Sequence, residues 1–214
     1  MTYSSERKRA LVGWSFNNAS SFTNVQLQKF LFFYELLSKI DGDSYELDGL
    51  KGYKNGPVFS TVFGDVKYDD NFKSDCGKQF QSRANLVNES RAKLAGFLVK
   101  CLGNKLSEFT HNMNIWAVKR DEIEKGERQV PLSEEDFTDN DAAALRAIET
   151  AYPESYIDSV ETINISGKTF IYFKSDENRL SNNVYDILYE VALDSEFDSP
   201  VYISFSEEGE LLLD

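Results

Sequence analysis

Apolar residues recur at helical spacing through the first two thirds of the chain. The strongest pattern lies in residues 22–42, FTNVQLQKFLFFYELLSKIDG, and it predicts a central core helix. Thr23 and Gln26 are placed as a capping box before the apolar run, and Gly42 supplies a stop after it. The apolar positions that define the buried face are Leu27, Phe30, Leu31, Tyr34 and Leu37.

Weaker helical patterns lie on both sides of this helix. Residues 5–16 predict a short helix, and LVNESRAKLAGFLVKCLG, residues 86–103, repeats the helical spacing and ends at a glycine. Within this pattern Cys101 fits a small buried hydrophobe. The polar residues 66–85 predict a loop or an insertion between helices.

Four further positions predict helix starts in the polar stretch that follows. The segment KLSEFTHNMNIWAVKRDE predicts two short helices, the first capped by Ser107 and the second starting at Asn114. Downstream, Ser133 and Asn140 are placed to cap two more helices. The first two thirds of the chain are therefore predicted to be mostly helical.

A turn and a short helix are predicted in YKNGPVFSTVFGDV, residues 53–66. Asn55 and Gly56 form a turn dipeptide, and Pro57 suits the first position of a helix, where its missing N–H has no partner to lose. Val58 and Val62 would then point inward. A phosphate-binding loop is excluded here, because that motif needs several glycines and a lysine followed by Ser or Thr.

The pattern changes to strands after Pro153. VETINISGKTFIYFKS predicts a hairpin that turns at Gly167-Lys168, NNVYDILYEVALDSEF predicts an amphipathic helix, and PVYISFSEEGELLLD predicts a second hairpin that turns at Glu208-Gly209. This order predicts an antiparallel ββαββ module. The fold class is therefore α+β, with a helical domain over residues 1–135 and a small module over residues 136–214.

Both faces of one predicted strand, TFIYFKS, are apolar. One face would pack on the module's helix, and the other must be covered by something else, for which a protein partner is a natural candidate. The strand residues that form this candidate partner-binding surface are Phe170, Ile171, Tyr172 and Phe173.

The net charge of −13 is distributed unevenly along the chain. Residues 1–130 hold 19 Lys+Arg and 16 Asp+Glu, a net charge of +3, whereas residues 131–214 hold 4 and 20, a net charge of −16. An acidic surface can serve solubility alone, or it can be shaped for a basic partner. Direct binding of nucleic acid by this segment is disfavoured, because phosphate contacts need clustered Lys and Arg.

Composition places the chain among globular proteins. Its 41% hydrophobic content supports a buried core, and no apolar run is long enough to span a bilayer or to serve as a secretory signal. We therefore expect a cytoplasmic protein without a membrane partner. Cys76 and Cys101 lack a CxxC pattern and the chain has one histidine, so neither a disulfide nor a metal site is expected.

No residue set predicts catalysis or a cofactor. His111 is the one imidazole available as a base, its neighbour Thr110 does not face it on a helix, and a histidine among aromatic residues is more often structural. With 36 acidic residues, any carboxylate pair can arise from composition alone. DFTDNDAAAL lacks the ligand spacing of a calcium loop. The aromatic residues fall mostly at core spacing, which favours packing over base stacking.

Three blocks of the sequence together resemble a known family. NVQLQKFLFFYE (24–35), GYKNGPVFSTVF (52–63) and LSEFTHNMNIWAVKR (106–120) are similar, in order and spacing, to the Leu-Gln-Lys-Leu helix, the Gly-Pro-Val turn and the Leu-Ser-x-x-Thr-His and Trp signature of the Panacea, or SocA-like antitoxin, domain. The resemblance covers about residues 5–135. The signature positions, which are also candidate partner-binding residues, are Gln28, Lys29, Lys54, Asn55, Gly56, Pro57, Thr110, His111 and Trp116.

The resemblance implies an antitoxin of a type II toxin-antitoxin pair, which neutralises a separately encoded protein toxin by direct binding. Some family members instead deliver the toxin to a cellular protease as an adaptor. The signature residues are interpreted as fixing the architecture, with the Lys54-Asn55 turn and His111 as an alternative border of a partner site. The acidic module lies outside the resemblance and would select a toxin with a basic surface.

Two other function classes stay open from the sequence. The acidic surface could block a nucleic-acid-binding protein, as a phage-type inhibitor or nucleic-acid mimic does, and steep salt dependence of binding would favour this class. A hydrolase that uses carboxylates would require a deep pocket with strongly perturbed pKa values.

Overall fold

The computed structural model describes residues 3–19 and 22–214. Helices dominate the first two thirds, and two small sheets complete an α+β fold. The α-helices are α1 (Glu6–Asn18), α2 (Asn24–Ile40), α3 (Ser60–Tyr68), α4 (Phe72–Lys78), α5 (Glu89–Leu102), α6 (Leu106–Asn112), α7 (Asn114–Ala117), α8 (Arg120–Glu124), α9 (Asp139–Ala151), α10 (Glu154–Ser159) and α11 (Asn182–Leu193). The strands are β1 (Leu50–Tyr53), β2 (Gly56–Phe59), β3 (Val130–Pro131), β4 (Val160–Ile165), β5 (Lys168–Phe173), β6 (Val201–Phe205) and β7 (Leu211–Leu213).

Helix α2 forms the centre of the core, as its apolar spacing predicts. The predicted capping box is confirmed, because the Thr23 N–H donates to Gln26 Oε1 at 2.9 Å and the Gln26 N–H donates to Thr23 Oγ1 at 3.2 Å. Every residue from Leu27 to Ser38 is buried, including both charged ones. The helix is therefore enclosed on all sides, mainly by α1, α5 and β2.

A buried ion cluster, here called the Glu35 cluster, joins α1 to α2. Glu35 is fully buried, and its carboxylate accepts hydrogen bonds from Arg7 Nε at 3.1 Å, from Lys8 Nζ and from the backbone N–H of Glu46 at 3.0 Å. Lys8 Nζ also donates to the Glu46 carbonyl at 2.7 Å and lies 4.1 Å from the Phe59 ring centroid. The two buried charges satisfy each other, so the cluster fixes α1 and the 41–49 loop on α2.

The turn around Gly56 differs from the prediction. Lys54 and Asn55 form the turn of a hairpin, and Pro57 lies in strand β2 opposite Gly52 rather than at the start of a helix. Helix α3 begins at Ser60. The prediction was wrong because β2 is the edge strand of the β2-β1-β3 sheet, and proline is tolerated at an edge where its missing N–H breaks no ladder.

Residues 66–85 are mostly helical, with short turns between the helices, so the predicted loop is wrong. After α3, helix α4 and a 3-10 segment at Phe80–Leu86 fold against α1 through Phe72, Cys76 and Phe80. The approach is close: a Cβ on Gly13 of α1 would lie 2.5 Å from the Cys76 carbonyl oxygen. Single apolar residues in short helices leave too little periodicity for a sequence pattern to show.

Two of the predicted helix caps also differ from the structure. Helix α6 starts one residue before Ser107, and α9 is capped by Thr138 in a capping box with Asp141, not by Asn140. The Asp141 carboxylate in addition accepts the N–H of Asn114 at 2.8 Å and so ties α7 to α9. Ser133 does cap a 3-10 turn, at Glu134–Asp136, as predicted.

The C-terminal elements follow the predicted ββαββ order, but their sheet is mixed. The strand order is β4-β5-β6-β7, and β5 pairs with β6 in parallel. The all-antiparallel prediction was wrong because α11 connects β5 to β6 as a crossover, which brings the chain back in the same direction. Lys168 fastens this helix by donating from Nζ to the carbonyls of Val191 at 3.0 Å, Asp194 at 2.5 Å and Phe197 at 2.7 Å.

The second apolar face of β5 is covered by the protein itself. Phe170 and Tyr172 pack in the cluster under α11, whereas Ile171, which is 1% exposed, packs with Phe97 and Cys101 of α5. The expectation that this face must meet a partner is therefore wrong.

Cys101 is a buried free thiol whose pKa burial raises to about 12, in keeping with its predicted role as a small hydrophobe.

Helix α9, although it lies in the predicted 136–214 module, contributes Leu145 to the same core cluster as α2. The division of the chain at residue 135 stays a prediction.

Across residues 3–19 and 22–214, none of the helices has the length and apolar character that crossing a membrane requires.

Candidate functional site

The three sequence blocks that carry the resemblance meet at one place. The start of α2, the β1–β2 hairpin and α3 line an open cavity of about 190 Å³, here called the Lys29 cavity. Most of its wall is apolar. Its lining residues are Asn24, Val25, Gln28, Lys29, Tyr53, Lys54, Asn55, Pro57, Val58 and Phe63. Five of the nine signature positions are thus part of one wall.

Lys29 is the unusual member of this wall. Its side chain is 1% exposed, and its Nζ donates to Thr110 Oγ1 at 2.9 Å. No carboxylate of the described residues pairs with it, so burial lowers its pKa from 10.5 to about 7. The neighbouring Gln28 has a structural contact, since its Oε1 accepts the N–H of Phe59 at 2.8 Å.

Gly56 and Thr110 both lie next to the ammonium group of Lys29. Thr110 Oγ1 lies near the carbonyls of Leu106 at 3.2 Å and Ser107 at 3.0 Å, so it can donate its proton there and accept from Lys29. Gly56 has a φ of +100°, and a Cβ at this position would overlap Lys29 Nζ and lie 2.8 Å from Thr110 Oγ1. The glycine therefore makes room for the ammonium group.

We expect Gly56→Ala to lower the free energy of unfolding by about 1–3 kcal/mol, because alanine disfavours this φ and its Cβ displaces Lys29. The matched control is Gly64→Ala in α3, where a Cβ meets nothing within 4 Å. That change should raise the free energy of unfolding by about 0.5–1 kcal/mol, the helix propensity difference. Urea denaturation of both variants measures the two values, and equal effects would contradict the packing described.

His111 lies beside this group but makes a different contact. Its ring stacks on Trp116 with centroids 3.8 Å apart, and its Nε2 is buried without a hydrogen-bond partner among the described residues. Burial, together with the positive charges of Lys29 and Arg120, lowers the pKa of His111 to about 4. The imidazole is therefore neutral at pH 7. Its backbone carbonyl accepts from Arg120 at 3.0 Å.

Trp116 connects the third block to the hairpin. It is buried, and its Nε1 donates to the Tyr53 carbonyl at 3.3 Å. The hairpin turn itself is exposed at Lys54 and Asn55, and the Asn55 carbonyl accepts from Ser107 Oγ at 3.2 Å. All nine signature positions thus lie at or next to the Lys29 cavity, with the turn at its rim.

The four strand residues predicted as a partner surface are not part of this site. Phe170, Ile171 and Tyr172 are buried in β5, and Phe173, at 41% exposed, alone reaches solvent, with its ring packed edge-on against Tyr156. A strand buried on both faces is not accessible to a partner without rearrangement.

A different surface of the acidic module is exposed and apolar. Tyr185, Tyr189 and Leu193 follow one another at four-residue intervals on α11 and are 41%, 55% and 68% exposed; we call them the α11 stripe. Asp186 and Glu190 lie in the adjacent row of the same helix and are exposed. The sequence predicts an amphipathic helix here, and the four-residue spacing of these three residues is a signal that could have indicated an apolar outer row.

The carboxylates that line another cavity are held in ion pairs. Asp41, Glu149 and Glu154 line a space of about 190 Å³ between α5 and α9–α10. Arg91 contacts Asp41 at 2.6 Å, Lys93 contacts Glu154 at 3.0 Å, and burial raises the pKa of Glu149. These ion pairs link α5 to the end of α2 and to α10.

Among residues 3–19 and 22–214, no cluster of three His, Cys, Asp or Glu side chains is arranged to hold a metal ion.

Comparison of the chain with protein-family models, with curated proteins and with solved structures finds no match in any of the three. The Panacea-domain resemblance is accordingly a prediction that rests on the three sequence blocks.

Proposed function

We propose that this protein is the antitoxin of a type II toxin-antitoxin pair, acts in the cytoplasm and neutralises a protein toxin by direct binding. The resemblance of the three blocks supplies the class. On this proposal the protein works by occupying a partner's surface and performs no chemistry on it.

The observation that carries the proposal is the α11 stripe on a strongly acidic segment. Residues 131–214 hold 20 Asp+Glu against 4 Lys+Arg. Aromatic residues are enriched at protein interfaces, where they supply affinity, and charges around them select the partner. The occupant that fits is a protein with a basic surface and an apolar groove for the stripe.

The charges and the stripe would act at different stages of binding. A net charge of −16 on residues 131–214 attracts a basic protein over about a Debye length and raises the association rate. Tyr185, Tyr189 and Leu193 then become buried and slow dissociation. Nuclease and nucleotide-modifying toxins bind polyanions and therefore carry such basic surfaces.

The sharpest test uses surface substitutions. Deleting residues 155–214 would uncover Phe97 and Cys101 of α5, so a failed rescue could reflect misfolding. We expect Tyr185→Ser/Tyr189→Ser/Leu193→Ser to abolish growth rescue when it is co-expressed with the protein encoded by the adjacent gene. The matched control is Tyr68→Ser in α3, which removes an aromatic side chain that is 81% exposed.

Rescue should persist in the control, and affinity in pull-down titrations should fall by about 100-fold or more in the triple variant. Full rescue by a folded triple variant would overturn the assignment of the α11 stripe as the contact surface.

Two related functions are separated by further measurements. If the protein is a proteolytic adaptor, the half-life of the toxin will shorten when both are expressed, and loss of the protease will abolish rescue. If it is an acidic mimic, it will bind a nucleic-acid-binding protein with an affinity that falls steeply with salt, and nucleic acid will compete. The net negative charge of residues 131–214 also supports the function of an acidic mimic.

A further inference from the structure

The Lys29 cavity has the shape of a site for a small apolar group. Its volume of about 190 Å³ is below the roughly 300–1,000 Å³ of sites for drug-sized ligands, so it suits a small group, and Val25, Val58 and Phe63 supply an apolar wall. Val25 and Phe63 remain 43% and 39% exposed at this wall. Small-molecule sites are typically concave and apolar with a few placed polar groups, and this cavity has both features.

A buried cation without an anion lies in this wall. An uncompensated charge in an apolar environment is costly, and proteins usually pair it. Lys8 in the Glu35 cluster is paired in this usual way, because the carboxylate of Glu35 contacts its ammonium group. Lys29 has Thr110 Oγ1, a neutral oxygen, as its side-chain partner. An ammonium group has three N–H donors, so Lys29 can donate a further hydrogen bond to an anionic acceptor.

The hairpin excludes a simpler mode of binding, in which a peptide strand adds to the free edge of β2. Pro57 has no N–H, and the Phe59 N–H already donates to Gln28 Oε1 at 2.8 Å. The edge therefore offers no free donors at these two positions, which β-strand addition requires. What remains accessible is the cavity, with Lys54 and Asn55 at its rim.

We propose that the Lys29 cavity binds a carboxylate attached to an apolar group no larger than one aromatic side chain, with Lys29 as the ionic partner of the carboxylate and the Val25, Val58 and Phe63 wall around the apolar group. Lys54 and Asn24, which also line the cavity, supply further donors at its mouth. This inference does not depend on the antitoxin proposal. The carboxylate can belong to a free small acid or to the last residue of a polypeptide.

Binding of this ligand should depend on pH in a defined way. The pKa of Lys29 is about 7 in the free protein, and a bound carboxylate raises it, so binding takes up a proton above pH 7. The affinity should therefore fall by about tenfold between pH 6 and pH 8. Two titratable groups near Lys29 keep one charge state over this range, because His111 has a pKa of about 4 and burial raises the pKa of Tyr53 above 10. Lys54 is exposed at the mouth of the cavity.

The experiment uses the full chain and 3-phenylpropionate, with 3-phenylpropionamide as its neutral counterpart. Binding is followed by calorimetry at pH 6 and pH 8 in buffers of different ionisation enthalpy, and by NMR of the single histidine, His111. The variants are Lys29→Met, which removes the cation, and Lys78→Met, whose lysine side chain is 73% exposed on α4. A short peptide that ends in phenylalanine, with a free or an amidated carboxyl, tests the second source.

We expect saturable binding of the acid that weakens about tenfold from pH 6 to pH 8, takes up a proton at pH 8, and is at least tenfold weaker for the amide. Lys29→Met should lose binding while Lys78→Met retains it. Tighter binding of the free-carboxyl peptide than of the acid assigns the ligand to a chain end, and the reverse assigns it to a small molecule. Absence of binding, equal binding of acid and amide, or undiminished binding by a folded Lys29→Met variant would each overturn the proposal.

Discussion

Lys29→Met is expected to stabilise the protein by about 5 kcal/mol at pH 6 and by much less at pH 10. The pKa of Lys29 is about 7 in the folded protein against 10.5 for an ordinary lysine, and each pH unit of difference corresponds to about 1.4 kcal/mol. Between these two pH values the unfolded chain binds more protons, so the stability of the wild type rises with pH. Below pH 7 both states are charged and the full penalty remains. Methionine has a similar shape and no charge to desolvate.

The measurement is urea denaturation of both proteins at several pH values. Lys78→Met is the control, because its exposed lysine should change the free energy of unfolding by less than about 0.5 kcal/mol at each pH. His111 gives an independent reading, since the charge of Lys29 contributes to its low pKa of about 4. In Lys29→Met that pKa should rise but stay below 6.5. Parallel stability curves for the variant and the wild type would contradict the assignment.

Glu35→Gln should have the opposite sign and a similar size, a loss of about 3–5 kcal/mol. Removing the carboxylate leaves Lys8 buried without its counter-charge, and such broken pairs are among the most destabilising single changes. Burial already lowers the pKa of Lys8, and Glu35 opposes this effect. The unpaired lysine should therefore lose its proton more readily, and the loss of stability should diminish as the pH is raised.

A double-mutant cycle separates the pair from its surroundings. Lys8→Met/Glu35→Met replaces both charges with apolar side chains and should recover most of the loss. Glu46→Gln is the control, because its carboxylate is partly exposed and 4.0 Å from Lys8, a distance at which an exposed pair contributes under about 1 kcal/mol. If Glu35→Gln unfolds at the same urea concentration as wild type, the cluster does not stabilise α1 on α2.

The parts of the fold that depend on neighbouring residues could be predicted, and those that depend on distant packing could not. The α2 capping box and the strand pair around Gly167 are local, and both are present. The parallel pairing of β5 with β6 depends on which strand lies beside which, and no local pattern encodes it. The cover of β5 by α5 had a visible signal, since Phe97 and Cys101 lie four residues apart in a second apolar row of that helix.

The residues of the candidate site could be predicted from the sequence, but their arrangement in space could not. The blocks around Lys29, Gly56 and Thr110 could be selected from the sequence, but their spacing does not indicate that the three meet at one ammonium group. A signal for the burial of Lys29 was present, because it lies one turn before Phe33 within an almost wholly apolar helix. A lysine at such a position indicates a buried amine. Its neutral partner, Thr110 Oγ1 of α6, is distant in the sequence, so the lack of a carboxylate beside it depends on the tertiary fold.

The packing contact between α5 and β5 limits which segments of this protein could be exchanged for those of another protein. Ile171 and Val160 share a cluster with Phe97 and Cys101, so β4 and β5 pack directly on α5. A chimaera that exchanges residues 136–214 for another sequence would leave Phe97 and Cys101 facing a foreign strand. On the antitoxin proposal, new partner specificities would therefore arise more readily by substitution on the outward rows of α11 than by grafting whole segments, unless the matching row of α5 were transferred as well.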